Sequence, residues 1–309
     1  MTLVILSKSP QANIISKEAV WAMLRSLVNI KRGPDAVTAS LLRGLGELNY
    51  PYLFNPDLSN LKAGDTVLVN GSMDALKWAI KNKINNKFRK LITGPNLVVT
   101  PNDYDGIINS SEIDFILQPS TWVKDFYISV SPVLSEKIGV WPAGVVVPPV
   151  VVDQIKRRVL IFIKNQLTNK QLNIVKDALG GLPHKFIFYG KFNQKEYFEE
   201  LSDSQAMLYF SFSESQGLAL QEAWARNVPT LVWDRGLWEY QGYSWRANKI
   251  SCPYLNDRCG LAFSNFNDLP IILKEFLGQI NQYTPRDYVA SELSDKKSAE
   301  ILVNIIRTL

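Results

Sequence analysis

The amino-acid sequence predicts an α/β protein of two domains, each a mostly parallel sheet with helices on both faces. Three observations carry this. At 309 residues the chain is too long for one ordinary domain and suits two of about 150 each. Short β-rich runs alternate with helical stretches, the pattern of parallel sheets covered on both sides. The alternation breaks once, at the valine- and proline-rich run GVVVPPVVV (144–152), and then starts afresh.

In the first half the strand candidates are 2–6, Tyr52–Phe54, Thr66–Val69, Lys90–Thr93 and 115–117, with amphipathic stretches at 36–48, 74–81 and 121–129. Pro148 and Pro149 fix φ and lack an amide donor, so 144–152 and the basic Lys156, Arg157 and Arg158 after it read as a hinge. Beyond it come strands at 159–163, 186–189, 206–211 and Thr230–Trp233, and helices at Asn169–Leu179, 194–201 and Leu218–Ala225. A final segment, 294–309, has Ser294 or Asp295 as its N-cap and Ala299, Leu302, Val303 and Ile306 on one helical face. The expected domains are therefore 1–150 and 151–290, with the helix of 291–309 packing back on the first. Two such units leave a cleft between them, and open sheets bind ligands beyond the carboxyl ends of their strands.

Composition excludes several classes. Hydrophobic residues make up 46% and charged residues 20%, enough to bury substantial cores. No run of 18 apolar residues occurs, and the start MTLVILSKSPQ lacks the basic opening of a secretory signal, so a cytoplasmic location is expected. Cys252 and Cys259 form no disulfide framework and suit a reducing compartment. His184 is the single histidine and no Cys-x-x-Cys is present, so no zinc-type metal cluster is expected. The net charge of +5 is densest from Lys77 to Lys90, KWAIKNKINNKFRK. That run reads as a solvated helix face with its following loop, or as a docking surface for an acidic membrane or acceptor. Only Trp78 and Phe88 interrupt it, too few aromatics for nucleic acid.

The chemistry concentrates at 206–234, AMLYFSFSESQGLALQEAWARNVPTLVWD. A strand runs into the polar loop Ser213-Glu214-Ser215-Gln216-Gly217 and then into a helix. Gly217 lets backbone approach a ligand closely, and the helix's first amides lie unpaired at the positive end of its dipole. That is an anion site suited to a diphosphate. Glu222 lies about one and a half turns inside the helix. Taken singly, Glu214 also suits a helix cap and Glu222 a solvated helix position.

The string Ser-Glu-Ser-Gln-Gly-Leu-Ala-Leu-Gln-Glu-Ala-Trp-Ala-Arg-Asn-Val-Pro-Thr resembles the donor motif of retaining GT-B glycosyltransferases of family 4, which sets two glutamates with seven residues between them. The resemblance implies two Rossmann-like domains facing each other across a cleft. It implies that Glu214 contacts sugar hydroxyls near the reacting carbon. Ser215 and the amides of Gln216, Gly217 and Leu218 would bind sugar and phosphate oxygens, and Glu222 the ribose hydroxyls. Lys164 and Lys170, after strand 159–163, stand where the family grips the diphosphate with an Arg and a Lys. A lysine at 164 keeps the charge and loses the bidentate fork. Tyr189 and Gly190 match a loop that passes the nucleotide base. Gly33, in Arg32-Gly33-Pro34-Asp35, stands at the family's phosphate-facing glycine loop, and Asn96 and Asp103 at its acceptor side. The family's acceptor-side histidine is missing, and His184 precedes a strand at the opposite end of its sheet. For Asp103 and Asp105 a turn role is the simpler expectation.

The expected activity is sugar transfer from a nucleotide-diphosphate sugar, of UDP or GDP type, to a glycan or lipid-linked glycan acceptor. Retention is expected, with no metal and no cofactor beyond the donor. The alternative keeps the fold without transfer, as a nucleotide-sugar-binding protein, epimerase or phosphorylase.

Overall fold

The computed structural model describes residues 2–8, 33–149 and 158–309. Arg32 and the second half of the expected hinge, with Lys156 and Arg157, lie outside the described residues. The chain divides into two compact units, Met1–Gly144 with Asp295–Leu309, and Val145–Ser294.

In the first unit β1 (Leu3–Leu6), β2 (Tyr52–Phe54), β3 (Thr66–Val69), β4 (Lys90–Thr93), β5 (Phe115–Gln118) and β6 (Ile138–Val140) form one sheet in the order β2-β1-β3-β4-β5-β6. Every pairing in it is parallel. β1 and β3 are buried at every position, as continuous apolar runs in a two-sided sheet must be. β6 escaped the sequence reading because Ile-Gly-Val is three residues with glycine at its centre. The helices are α1 (Gly33–Glu47), α2 (Met73–Ile84) and α3 (Thr121–Val130). The side chain of Ser72 accepts from the amide of Ala75 and fixes the start of α2.

The second unit repeats the plan. β7 (Arg158–Ile163), β8 (His184–Phe188), β9 (Ser204–Phe210), β10 (Thr230–Trp233) and the unforeseen β13 (Gly260–Phe263) form a parallel sheet in the order β13-β10-β9-β7-β8. Its helices are α4 (Asn169–Leu179), α5 (Gln194–Ser202), α6 (Leu218–Ala225) and α7 (Leu269–Gly278). Capping boxes, Thr168 with Gln171 and Asn193 with Glu196, set the starts of α4 and α5. Strand alternation divides the core: Val159, Ile161 and Ile163 pack on one face with Leu179 and Leu273, while Leu160 and Phe162 pack on the other with Tyr197 and Trp224. β11 (Leu237–Tyr240) and β12 (Tyr243–Arg246) form a separate antiparallel hairpin after β10.

Cys252 and Cys259 are both buried free thiols in this unit. Burial pushes both thiols up, Cys259 from the ordinary 9.0 to about 12 and Cys252 further. The folded state therefore holds protons that the unfolded chain releases above pH 9, and stability is lost as pH rises from 9 toward 12. The melting temperature is expected to fall across that window, less steeply in Cys259→Ala; a flat profile would contradict the burial argument.

The chain then re-enters the first unit as α8 (Asp295–Thr308), which packs on α1. Asp295 is buried and accepts two bonds from the Arg43 guanidinium. Nε1 of Trp141 donates to the carbonyl of Ser298, whose hydroxyl donates to the carbonyl of Pro142. The two helices cross at Gly44, where a Cβ would lie 2.1 Å from the Asp295 carbonyl oxygen.

Candidate functional site

In the second sheet the strand order reverses between β7 and β9, and the crevice at such a switch point is where open α/β sheets bind ligands. Lys164 leaves the carboxyl end of β7 and the 211–217 loop leaves that of β9. The Lys164 amide donates to the Phe210 carbonyl at 2.8 Å, and its Nζ donates to Glu214 Oε1 at 2.7 Å. Tyr209 Oη at 2.7 Å and Ser211 Oγ at 2.9 Å donate to the same oxygen. Glu214 is only 8% exposed. A carboxylate that deep is tolerable only with such a set of donors. Burial, followed by the neighbouring carboxylate, raises the Tyr209 hydroxyl well above the usual range, so it stays a donor. Glu214 thus points into a buried network rather than capping the helix behind it.

That helix, α6, has no side-chain cap. Its N-cap is Gly217 at φ 83°, ψ 49°, a left-handed conformation that suits glycine. The first amides of α6 therefore receive no bond from an N-cap side chain. Gln216 is buried and donates to Gln221 Oε1, while Ser215 and Leu218 are half-buried along the loop. Glu222, half-buried, accepts from Gln194 Nε2 at 2.9 Å. Because Gln194 opens α5, this bond ties Glu222 to the loop that follows β8. Tyr189 of that loop is 61% exposed, with Lys164 Nζ 5.4 Å from its ring centroid. Gly190 has φ 80° and open space where a Cβ would stand. Lys170 is exposed near the start of α4, with no ion pair among the described residues.

Lys164, Glu214 and Tyr189 are therefore brought together directly, and Glu222 is linked through Gln194. Sequence reasoning missed Tyr209, Ser211 and Gln194. It also missed the brace formed where the Glu214 amide donates to Ile250 O and Ser251 Oγ to Ser211 O. A cavity of about 780 Å³ along α5, lined by Gln194, Phe198, Arg226 and Arg286 among others, takes in none of Lys164, Glu214 or Gly217. The candidate site is drawn from the strand-end geometry, not from that cavity.

In the first unit Gly33 is the first residue of α1 rather than a loop glycine, as Pro34 in the first turn favours. Asn96 is exposed in a left-handed turn. The Asp103 carboxylate accepts from the amides of Val99 and Thr100 and from Thr100 Oγ1. Burial opposes its ionisation, yet these bonds hold its pKa below the usual range. The basic run is not one charged face: Lys83 and Lys90 both pair with Asp114, leaving Lys77, Lys81, Lys87 and Arg89 exposed. His184 is exposed at the amino end of β8, its Nδ1 2.8 Å from the Leu182 carbonyl. Among the described residues no group of three His, Cys, Asp or Glu side chains is placed to hold a metal, and no helix is long and apolar enough to cross a membrane.

No family model and no curated protein matches the sequence. Solved structures do match its fold. The apo form of the lipopolysaccharide outer core galactosyltransferase WaaB is 12% identical, covers 100% of both chains and gives a TM-score of 0.59. WaaG, a glycosyltransferase involved in lipopolysaccharide biosynthesis, is 10% identical over 97% of this chain and 99% of its own, with a TM-score of 0.52. An S. aureus TarM mutant in complex with fondaparinux, α-GlcNAc-glycerol and UDP is 12% identical with a TM-score of 0.51, and the match covers 89% of this chain but 59% of TarM. At such identities the likeness is one of fold alone, two parallel-sheet α/β units in the GT-B arrangement of elements.

Proposed function

We propose that the chain is a glycosyltransferase that moves a sugar from a nucleotide-diphosphate sugar, of UDP or GDP type, to a glycan or lipid-linked glycan acceptor. The observation that carries this is the meeting of Lys164, Glu214 and the uncapped start of α6 at the β7–β9 switch point. Lys164 and Lys170 would stabilise the departing diphosphate as point charges, together with the α6 amides. Glu214, held by Tyr209 and Ser211, would orient the sugar hydroxyls, while Glu222 would hold the ribose and Tyr189 and Gly190 flank the base. Transfer with retention breaks the bond from the anomeric carbon to the phosphate oxygen and forms one to the acceptor oxygen on the same face. The leaving phosphate oxygen takes the acceptor proton, so no protein base is required.

Thermal-shift titration with UDP, GDP, ADP and their sugars tests the reading. One nucleotide family is expected to raise the melting temperature, and Lys170→Ala, exposed and free of packing, to lose transfer while melting as the wild type does. Transfer is expected to persist in EDTA. Binding without acceptor-dependent release of the diphosphate would favour the non-catalytic alternative. Peripheral contact with an anionic membrane from the cytoplasmic side, through Lys77, Lys81, Lys87 and Arg89, belongs to the same proposal; salt-sensitive sedimentation with anionic vesicles checks it.

A further inference from the structure

The two charges that the proposed reaction assigns to different parts of the donor are paired with each other. Lys164 Nζ, assigned to the diphosphate, donates at 2.7 Å to Oε1 of Glu214, assigned to the sugar. An ammonium already neutralised by a carboxylate is a poor partner for phosphate, so the pair has to open before Lys164 can serve.

The surroundings decide which partner moves. Oε1 also accepts from Tyr209 Oη at 2.7 Å and Ser211 Oγ at 2.9 Å, one donor more than its lone pairs accommodate. Glu214 is fixed: its side chain is buried, its amide is held by the Ile250 carbonyl, and the Tyr209 ring stacks on Phe162 in the core. Lys164 is not fixed. Its side chain is 29% exposed, and it carries a hydrated point charge on a flexible stem rather than a rigid fork. The exposed Tyr189 ring, with its centroid 5.4 Å from Nζ, gives the ammonium a second contact outside the pair. Lys164 can therefore leave without orphaning the carboxylate, whereas Glu214 cannot turn away without stranding the buried Tyr209 hydroxyl.

We propose that the Lys164–Glu214 pair makes the site selective for a nucleotide sugar over the bare nucleoside diphosphate, a proposal that rests on the glycosyltransferase reading. A sugar hydroxyl donates to Glu214 in place of Lys164, and the released ammonium turns to the diphosphate. A diphosphate without sugar brings no such donor. It must leave Lys164 on the carboxylate or open the pair uncompensated. The exchange runs backward after transfer: once the sugar has passed to the acceptor, Glu214 recovers Lys164, and the diphosphate product loses a cation and is released.

The test is calorimetric titration of wild type, Glu214→Gln and Lys164→Gln with UDP and GDP and with their sugars. Wild type is expected to bind the sugar-bearing form of its nucleotide at least about tenfold tighter than the bare diphosphate, the size of one close charge coupling. Glu214→Gln leaves Lys164 without its counter-charge, so it is expected to bind the bare diphosphate about tenfold tighter than wild type does. Lys164→Gln separates exchange from plain repulsion by Glu214: its loss of affinity falls more heavily on the nucleotide sugar than on the diphosphate. Three results each overturn the inference while leaving donor binding in place: equal affinity of wild type for both forms, wild-type affinity of Glu214→Gln for the diphosphate, or equal losses on both ligands in Lys164→Gln. Wild-type protein that binds no nucleotide and no nucleotide sugar overturns the underlying reading and the inference with it.

Discussion

Glu214→Gln is expected to lower kcat by roughly 100- to 1,000-fold, about 3 kcal/mol of transition-state stabilisation, with the melting temperature little changed. The amide is isosteric and keeps one oxygen, which can still accept from Tyr209 Oη and Ser211 Oγ. What it lacks is the negative charge against which Lys164 Nζ is set at 2.7 Å. Glu214→Ala removes the acceptor altogether and strands the buried Tyr209 hydroxyl, while Ser211 Oγ still reaches the Ser213 carbonyl at 3.0 Å, so it is expected to lose transfer and also to cost roughly 1–3 kcal/mol of stability. Steady-state kinetics and thermal melts on both variants separate charge from packing. Unimpaired kcat in Glu214→Gln would remove Glu214 from the chemistry.

The second large effect concerns folding. Gly44 and Gly46 stand two positions apart on α1, and alanine at each is expected to act in opposite directions. At Gly44 a Cβ would lie 2.1 Å from the Asp295 carbonyl oxygen and 2.8 Å from Ala299 Cβ, so α8 must move away. Overpacking of backbone against backbone has no flexible side chain to yield, and about 3 kcal/mol is expected, a fall of roughly 6–12 °C in melting temperature. At Gly46 nothing lies within 4 Å, and alanine there should raise stability by roughly 0.5–1 kcal/mol through helix propensity. Equal melting temperatures for the two variants would rule out close helix crossing.

Much of the architecture was legible because buried parallel strands are continuous apolar runs, and the helices between them carry one apolar face with an explicit cap, as Thr168 and Asn193 show. The β11–β12 hairpin was not, since its aromatics alternate with polar residues around Gln241 and Gly242 without the usual Asn-Gly signal. β13 begins on Gly260 at φ 139°, set where a Cβ would be 1.9 Å from the Thr230 carbonyl oxygen, a close approach that no local pattern encodes. In the candidate site, Gly217 was singled out as a helix-start anion position, and Glu214 and Glu222 by their motif and its spacing. Lys164 was named through the same resemblance, but its ion pair with Glu214, 50 positions further on, was not foreseen, nor were the hydroxyl donors. Tyr209 looks like any core aromatic until its hydroxyl is seen on the carboxylate. Asp103 was legible as a turn residue from its chemistry alone, whereas the left-handed Tyr104 beside it breaks a local rule and so leaves no trace in propensity.

The return of α8 to the first unit has a consequence for how the protein is made. On the ribosome the sheet strands and α1 emerge early, yet the helix that covers Gly44 is translated only after all of Val145–Ser294. At 5–20 residues per second that interval lasts roughly 8–30 s. The second unit, one uninterrupted stretch, can close on itself during this delay. The first waits without the helix whose Ala299, Leu302, Val303 and Ile306 are buried in the finished unit. Its maturation is completed when Asp295 docks on Arg43, so synthesis order makes the segment translated first the slower of the two to become native.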